Sequence, residues 1–248
     1  MYPPELYDSW NNFASEIARL GLTSWKQDSR ITYMLEHVHA HVAQVYITYL
    51  LQFFDKAALQ RLADINDRIG DTKRVEIEGI LTSPSSIRYI RHSYDFCQVI
   101  LGKALDSVTV IEVGGGYGGM ALMMNEMAKL CGLTLEKYII YDLPGPLQLQ
   151  EYYLGQHDMA MPVYHRAGNV FGADVDPSDT NVLYSSYCLS EISLNYRLAY
   201  LGHLLPKIKA GFFMWNDESK EGLPLIRDER PEIPDTSEGN PGNKIIRI

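Results

Sequence analysis

Apolar positions recur at two different spacings along this chain, and the change falls near residue 105. In RITYMLEHVHAHVAQVYITYLLQFF (30–54), Ile31, Met34, Leu35, Val38, Val42, Val45, Tyr49 and Phe53 follow steps of three and four, which predicts one buried helical stripe. KAALQRLADIND (56–67) continues the helical pattern, with Gly70 as its stop. In LTSPSSIRYIRHSYDFCQVILGKAL (81–105), Ser83 reads as an N-cap and Pro84 as a first-turn residue. Ile87, Ile90, Tyr94, Cys97, Ile100 and Leu101 form the stripe of that helix. Past Asp106 the pattern becomes short β-branched and aromatic runs: SVTVIEV (107–113), YIIYDL (138–143), VYHRA (163–167), NVLYSSY (181–187) and GFFMWN (211–216). Helix-like stretches at 118–130, 146–154 and 189–209 lie between them. Strands alternating with helices predict an α/β fold, a doubly wound, mostly parallel sheet covered on both faces. The chain thus divides into a helical N-terminal cap over 1–105 and a ligand-binding core over 106–248. The tail IRDERPEIPDTSEGNPGNKIIRI reads as an acidic loop, either a substrate lid or plain surface, closed by a last strand at 244–248.

Composition narrows the classes. The 248 residues are 46% hydrophobic and 21% charged, as in ordinary globular proteins, with room for a sizeable core. Net charge is −9 and no Lys/Arg run stands out, which argues against a nucleic-acid partner. Cys97, Cys131 and Cys188 are widely spaced and form no CxxC, so they read as reduced thiols. MYPPELYDSW has no signal-peptide pattern, and VYITYLLQFF (45–54) is too short to span a bilayer. Together these features predict a cytoplasmic protein without a membrane span. A last strand with no tail leaves open whether the chain is one module of a larger protein, and nothing in it reports an oligomeric state.

The chemistry concentrates in VIEVGGGYGGMALMM (110–124), where a strand-like run ends in five glycines within six positions and then becomes helix-like. Gly114-x-Gly116-x-x-Gly119 fits the turn that presents backbone N–H groups at a helix start, where only glycine lets a ligand approach closely. Asp142 ends the second strand about 20 residues further on, the position of an acid that accepts from ribose hydroxyls. Nicotinamide dinucleotides and S-adenosylmethionine both carry that ribose, so Asp142 does not choose between them. Glu112 does. A carboxylate two residues before the first glycine repels a pyrophosphate but suits a sulfonium and an ammonium. The plainer alternative is a strand acid paired with an Arg or Lys.

On these residues, IEVGGGYGG resembles the first motif of class I S-adenosylmethionine-dependent methyltransferases, commonly E/D-x-G-x-G-x-G. The chain looks closest to sugar O-methyltransferases of polysaccharide and surface-glycan gene clusters. YDLPGPLQLQEYYL (141–154), SSYCLSEI (185–192) and GFFMWN (211–216) carry the rest of the likeness, which covers about 106–248. The resemblance implies a Rossmann-like methyltransferase sheet and S-adenosyl-L-methionine as cofactor, with S-adenosyl-L-homocysteine as product. It places Glu112, Gly114, Gly116 and Tyr117 at the methionine end, Asp142 on the ribose and Leu143 under the adenine. Asn169 falls where such enzymes often carry an Asp for the adenine amino group. Ser186 and Tyr187 face the sulfonium and the acceptor. The acceptor it implies is a small molecule or glycan with a free sugar hydroxyl.

A sugar hydroxyl is a poor nucleophile, and a base taking its proton contributes roughly 10²–10⁴-fold. Glu191, just past the fourth strand, is the first candidate. Its alternative reading is a first-turn helix acid behind a Ser190 N-cap. Asn216 and Asp217, past the fifth strand, could bind or deprotonate the hydroxyl. His92 and His165 are bases by chemistry alone. His37 and His41, four apart, read as a polar helix face rather than a metal pair. Related metal-dependent enzymes carry an acid directly after the fourth strand; this one reads Ser-Ser-Tyr-Cys there, so no metal is expected despite the acidic pair Asp217 and Glu218. Tyr184, Tyr187, Tyr196 and Trp215 lie near the predicted rim, where rings could stack on sugar faces. Two rivals remain at this point: a nicotinamide-dependent reductase using the same turn, and a non-catalytic partner subunit.

Overall fold

The computed structural model describes residues 4–216, 233–234 and 244–248. Nine helices appear among the described residues: α1 (Pro4–Leu20), α2 (Ser29–Met34), α3 (Ala40–Leu50), α4 (Lys56–Asp67), α5 (Pro84–Gly102), α6 (Gly119–Cys131), α7 (Pro144–Leu154), α8 (Cys188–Glu191) and α9 (Leu194–Leu204). The strands are β1 (Val75–Ile77), β2 (Ile80–Thr82), β3 (Ser107–Val113), β4 (Thr134–Asp142), β5 (Val163–Ala167), β6 (Asn181–Ser186), β7 (Ala210–Trp215), β8 (Ile233–Pro234) and β9 (Lys244–Arg247).

The main sheet has the order β5-β4-β3-β6-β7-β9-β8. Pairs from β5 through β7 are parallel, while β9 runs antiparallel to both β7 and β8. Strand order reverses beside β3, so the carboxyl ends of β3, β4 and β6 open the crevice where doubly wound sheets bind ligands. Both faces are covered, which is why β3 is buried from Val108 to Val113. Val108, Val110, Tyr138, Tyr184 and Phe212 point into the core shared with α5, α6 and α7. Ile111, Val113, Leu183, Phe213 and Trp215 point into the core under α9. The first core runs without interruption into the N-terminal helices, from Trp10 and Ile17 to Tyr46 and Leu59.

The α/β alternation stands as the spacing predicts it, and the capped helix at Pro84 does too: Ser85 N donates to Ser83 Oγ at 3.2 Å. Three local features differ from the sequence pattern or stand outside it. The single stripe over 31–53 is broken: α2 stops at Met34, residues 35–39 are irregular, and His39 is extended at φ −81°, ψ 148°. Tertiary contacts of Leu35 and Glu36, described below, override local helix preference there. The buried face of α3 is Val42, Ala43, Tyr46, Ile47 and Leu50, leaving Val45 and Phe53 about half exposed. His37 and His41 therefore share no helix face. Second, 75–82 forms a β1–β2 hairpin that turns at Glu78 and Gly79, both at positive φ. Third, the helix over 189–209 splits into α8 and α9. The buried Arg197 guanidinium donates to the carbonyls of Leu189 (2.6 Å), Ser190 (2.7 Å) and Ile192 (3.1 Å), satisfying the end of α8 from a side chain. Arg197→Ala is expected to lower stability by about 2–4 kcal/mol in urea denaturation, since it strands buried carbonyls.

Candidate functional site

The turn between β3 and α6 depends on glycine for conformation and for space. Gly114 has φ +80°, and a Cβ on it would lie 2.3 Å from Cys188 Cβ. Gly116 has φ +56° and faces Leu35, whose methyls stand 3.2–3.3 Å from a built Cβ. Gly114→Ala combines a left-handed backbone with a collision at the start of α8 and is expected to cost about 2–4 kcal/mol. A thermal melt checks this, and Cys188→Ala in the same chain should recover little of the loss, because alanine keeps the Cβ that the new methyl meets.

Asp142 anchors the turn from β4. Its Oδ1 accepts from Leu143 N at 2.8 Å; its Oδ2 accepts from Gly115 N at 2.9 Å and Gln150 Nε2 at 3.0 Å. Gln150 Nε2 also donates to Gly116 O at 3.0 Å. Burial lifts the Asp142 pKa to about 6 against the opposing pull of these donors.

Glu112 stands beside Tyr184 on the face that carries α5 and α6, and is 1% exposed. Tyr138 Oη donates to its Oε2 at 2.9 Å. Among the described residues no Lys or Arg pairs with it, so it is not the ion-paired strand acid of the plainer alternative. Burial raises its pKa to about 8; the Tyr138 hydrogen bond opposes the rise and the Asp142 charge adds to it. Gln150 Oε1 is also buried without a hydrogen-bond partner among the described residues. A buried acid without a cation among the described residues, next to a glycine turn, fits a ligand that brings positive charge.

The remaining predicted positions spread along the same rim. Leu143 is 38% exposed at the start of α7. Asn169 is exposed in the 3₁₀ turn after β5, where Tyr200 Oη donates to Gly168 O at 2.7 Å. Ser186 and Tyr187 are half-buried after β6, with Tyr187 at φ +61° capping α8. Tyr117 departs from its expected role: its ring is fully buried against Trp25, Tyr89 and Tyr153, so only its backbone faces the turn.

At the next opening along the rim, Asn216 Nδ2 donates to Glu191 Oε1 at 2.9 Å, and Asn216 N to Ser190 Oγ at 3.1 Å. Ser190 is not the N-cap; its hydroxyl donates to Tyr187 O at 2.7 Å within α8. Burial pushes the Glu191 carboxyl up, and the Asn216 hydrogen bond opposes this. Asp217, Glu218 and most of the acidic tail loop lie outside the described residues.

His92 is 1% exposed between the rings of Tyr46 and Phe212, a core residue that burial keeps neutral. His165 lies on the edge strand β5, three strands from β6. Tyr184 and Trp215 are buried in the two cores rather than open at the rim. Among the described residues no three His, Cys, Asp or Glu side chains come together as a metal site.

Sequence reasoning missed Gln150, Arg88, Tyr7 and Glu36. Arg88, 5% exposed on α5, donates to Leu35 O at 3.0 Å, and its charge bears on Glu191 and Tyr184. Tyr7 Oη reaches Glu191 O at 3.4 Å, bringing α1 to the rim. Only the polar residues within apolar helix stretches hinted at these.

No protein-family model matches the chain, and no curated protein does. Solved structures do. A protein described as a class I S-adenosylmethionine-dependent methyltransferase from Listeria monocytogenes superposes with a TM-score of 0.48 at 12% identity, over 99% of this chain and 88% of that one. Mitomycin 7-O-methyltransferase gives 0.46 at 10%, over 97% and 83%. An S-adenosylmethionine-bound amino pentose methyltransferase from Micromonospora echinaspora gives 0.39 at 10%; the match spans half of each chain. Likeness at this level says nothing of substrate. The chemistry rests on the residues themselves. No helix among the described residues is long and apolar enough to cross a membrane.

Proposed function

We propose that this protein is an S-adenosylmethionine-dependent O-methyltransferase acting on a sugar hydroxyl of a glycan or glycan precursor. The observation that carries the reading is Glu112: a buried carboxylate without a cationic partner among the described residues, set beneath a glycine turn beside Asp142. That pair suits a ligand with ribose hydroxyls at one end and ammonium and sulfonium charges at the other. It disfavours a pyrophosphate. Glu112 and the backbone of Gly114, Gly116 and Tyr117 would hold the methionine end. Asp142 Oδ1, which accepts one hydrogen bond among the described residues, keeps capacity for a ribose hydroxyl. Leu143 would lie under the adenine, Asn169 would accept from its amino group, and Ser186 and Tyr187 would flank the acceptor.

When bound, S-adenosylmethionine supplies an electrophilic methyl carbon. The protein's task is to align the acceptor oxygen behind that carbon and to take its proton. Glu191 is assigned the proton, with Asn216 orienting the carboxylate; Asp217, next in sequence, is the second candidate acid. The pairing leaves Glu191 Oε2 to face the acceptor. No metal is needed in this scheme, and a cytoplasmic setting supplies the cofactor.

The test is transfer of labelled methyl from S-adenosylmethionine to a panel of acceptors: free sugars, nucleotide sugars, oligosaccharides, oligonucleotides and small phenols. Label on a saccharide hydroxyl supports the reading. Label on an oligonucleotide or phenol alone removes the sugar assignment and keeps the methyl transfer.

A further inference from the structure

We propose that Glu36 is a positioning residue for the glycine turn, latching residues 35–39 of the helical layer onto Tyr117. This inference rests on the turn's being the S-adenosylmethionine site. Glu36 lies in the break between α2 and α3, far from β3 in sequence, yet its two oxygens are spent on that region. Oε1 accepts from Tyr117 Oη at 2.8 Å, and Oε2 accepts from Ser83 Oγ at 2.7 Å. Ser83 is the N-cap of α5, so the carboxylate joins the turn to that helix's start. The neighbouring Leu35 packs its methyls on Gly116 and gives its carbonyl to Arg88.

Tyr117 is fixed from further sides. Its ring sits edge-on to Trp25 and Tyr153, with centroids 5.2 and 5.1 Å away. Asn66 Nδ2 reaches its hydroxyl at 3.3 Å, and Lys26 Nζ lies 4.5 Å from its ring centroid. Across the turn, Asp142 and Gln150 hold Gly115 N and Gly116 O. The glycines are thus clamped between β4–α7 on one side and the 35–39 strap on the other. Such clamping orders the turn's backbone before a ligand arrives, so binding need not supply that ordering. Without the latch the cofactor must order both turn and strap itself, and affinity falls while chemistry at saturation is kept.

The experiment measures S-adenosylmethionine Kd by calorimetry, with KM and kcat on any acceptor that turns over, and Tm for each variant. Glu36→Ala and Tyr117→Phe are each expected to raise Kd and KM about tenfold or more, with kcat within about threefold. Their double variant should be little worse than Glu36→Ala alone, because both remove one link. Glu36→Gln should stay within about threefold of the parent, since its amide can accept from Tyr117 and donate to Ser83. Asp55→Ala, which removes the N-cap of α4 in the same layer, should lower Tm and leave Kd unchanged. Unchanged Kd in Glu36→Ala and Tyr117→Phe overturns the latch alone. So does a loss that Asp55→Ala shares in proportion to its Tm. An unaltered protein that binds no S-adenosylmethionine removes the reading of the turn, and the latch with it.

Discussion

Replacing Glu112 by Gln is expected to weaken S-adenosylmethionine binding by about 100-fold at pH 8 and to flatten its dependence on pH. The carboxylate is buried with a folded-state pKa of about 8, so at pH 7 it is mostly neutral in the free protein. A cationic ligand beside it favours the ionised form. Binding at pH 7 should therefore release a proton, visible as a dependence of calorimetric enthalpy on buffer ionisation. Affinity should rise by up to about tenfold per unit as pH climbs toward 8 and then level off. The sign for stability is opposite. An acid whose folded pKa lies above its unfolded value is best tolerated below the unfolded value, near 4.5, where both states are protonated. Stability falls as pH rises from there to 8, by on the order of 1.4 kcal/mol per unit. Glu112→Gln removes that loss, so the variant should melt higher than the parent at pH 9. Loss of cofactor with gain of stability distinguishes a ligand-binding acid from a structural one.

Glu191→Gln is expected to lower kcat by about 10²–10⁴-fold while leaving the cofactor Kd within about twofold. The carboxylate must be ionised to accept a proton, and burial holds its pKa above the ordinary Glu value. Activity of the parent should therefore fall as pH drops through that raised pKa. Asn216→Ala removes the hydrogen bond that favours the charged form, so it should move the acid limb of the profile to higher pH. Unchanged turnover in Glu191→Gln removes the base assignment, leaving Asp217 as the next residue to substitute. Single-turnover rates across pH separate the two outcomes.

Much of this architecture is legible in the sequence because local signals and tertiary outcome agree. β3, β5 and the N-cap of α5 are found at their predicted places, since β-branched runs and Ser83–Pro84 each specify one local conformation. Glu112 and Asp142 converge on the turn because strand-end positions are fixed once the sheet is parallel. What escaped is set by long-range contact. Residues 35–39 sit in a helix-forming stretch, and Tyr117, Ser83, Gly116 and Arg88, all distant in sequence, engage Leu35 and Glu36 there. Arg197 ends α8 in the same way. Tyr117 reads as a cofactor contact from its place in the motif, yet Trp25, Tyr89 and Tyr153, from three other segments, bury its ring. The β1–β2 hairpin, by contrast, has a local basis, a two-residue positive-φ turn at Glu78 and Gly79 between Val75, Ile77 and Ile80.

The central claim is that the turn beneath Gly114 and Gly116 binds a cation-bearing nucleoside rather than a pyrophosphate. Calorimetric titration of the purified protein with S-adenosylmethionine, S-adenosylhomocysteine and NADH, each at pH 6 and pH 8, tests it most directly. The expected result is micromolar binding of both sulfur compounds, tighter at pH 8, and none of NADH. Binding of NADH alone, or of no compound in the set, would contradict the assignment of Glu112 and the function built on it.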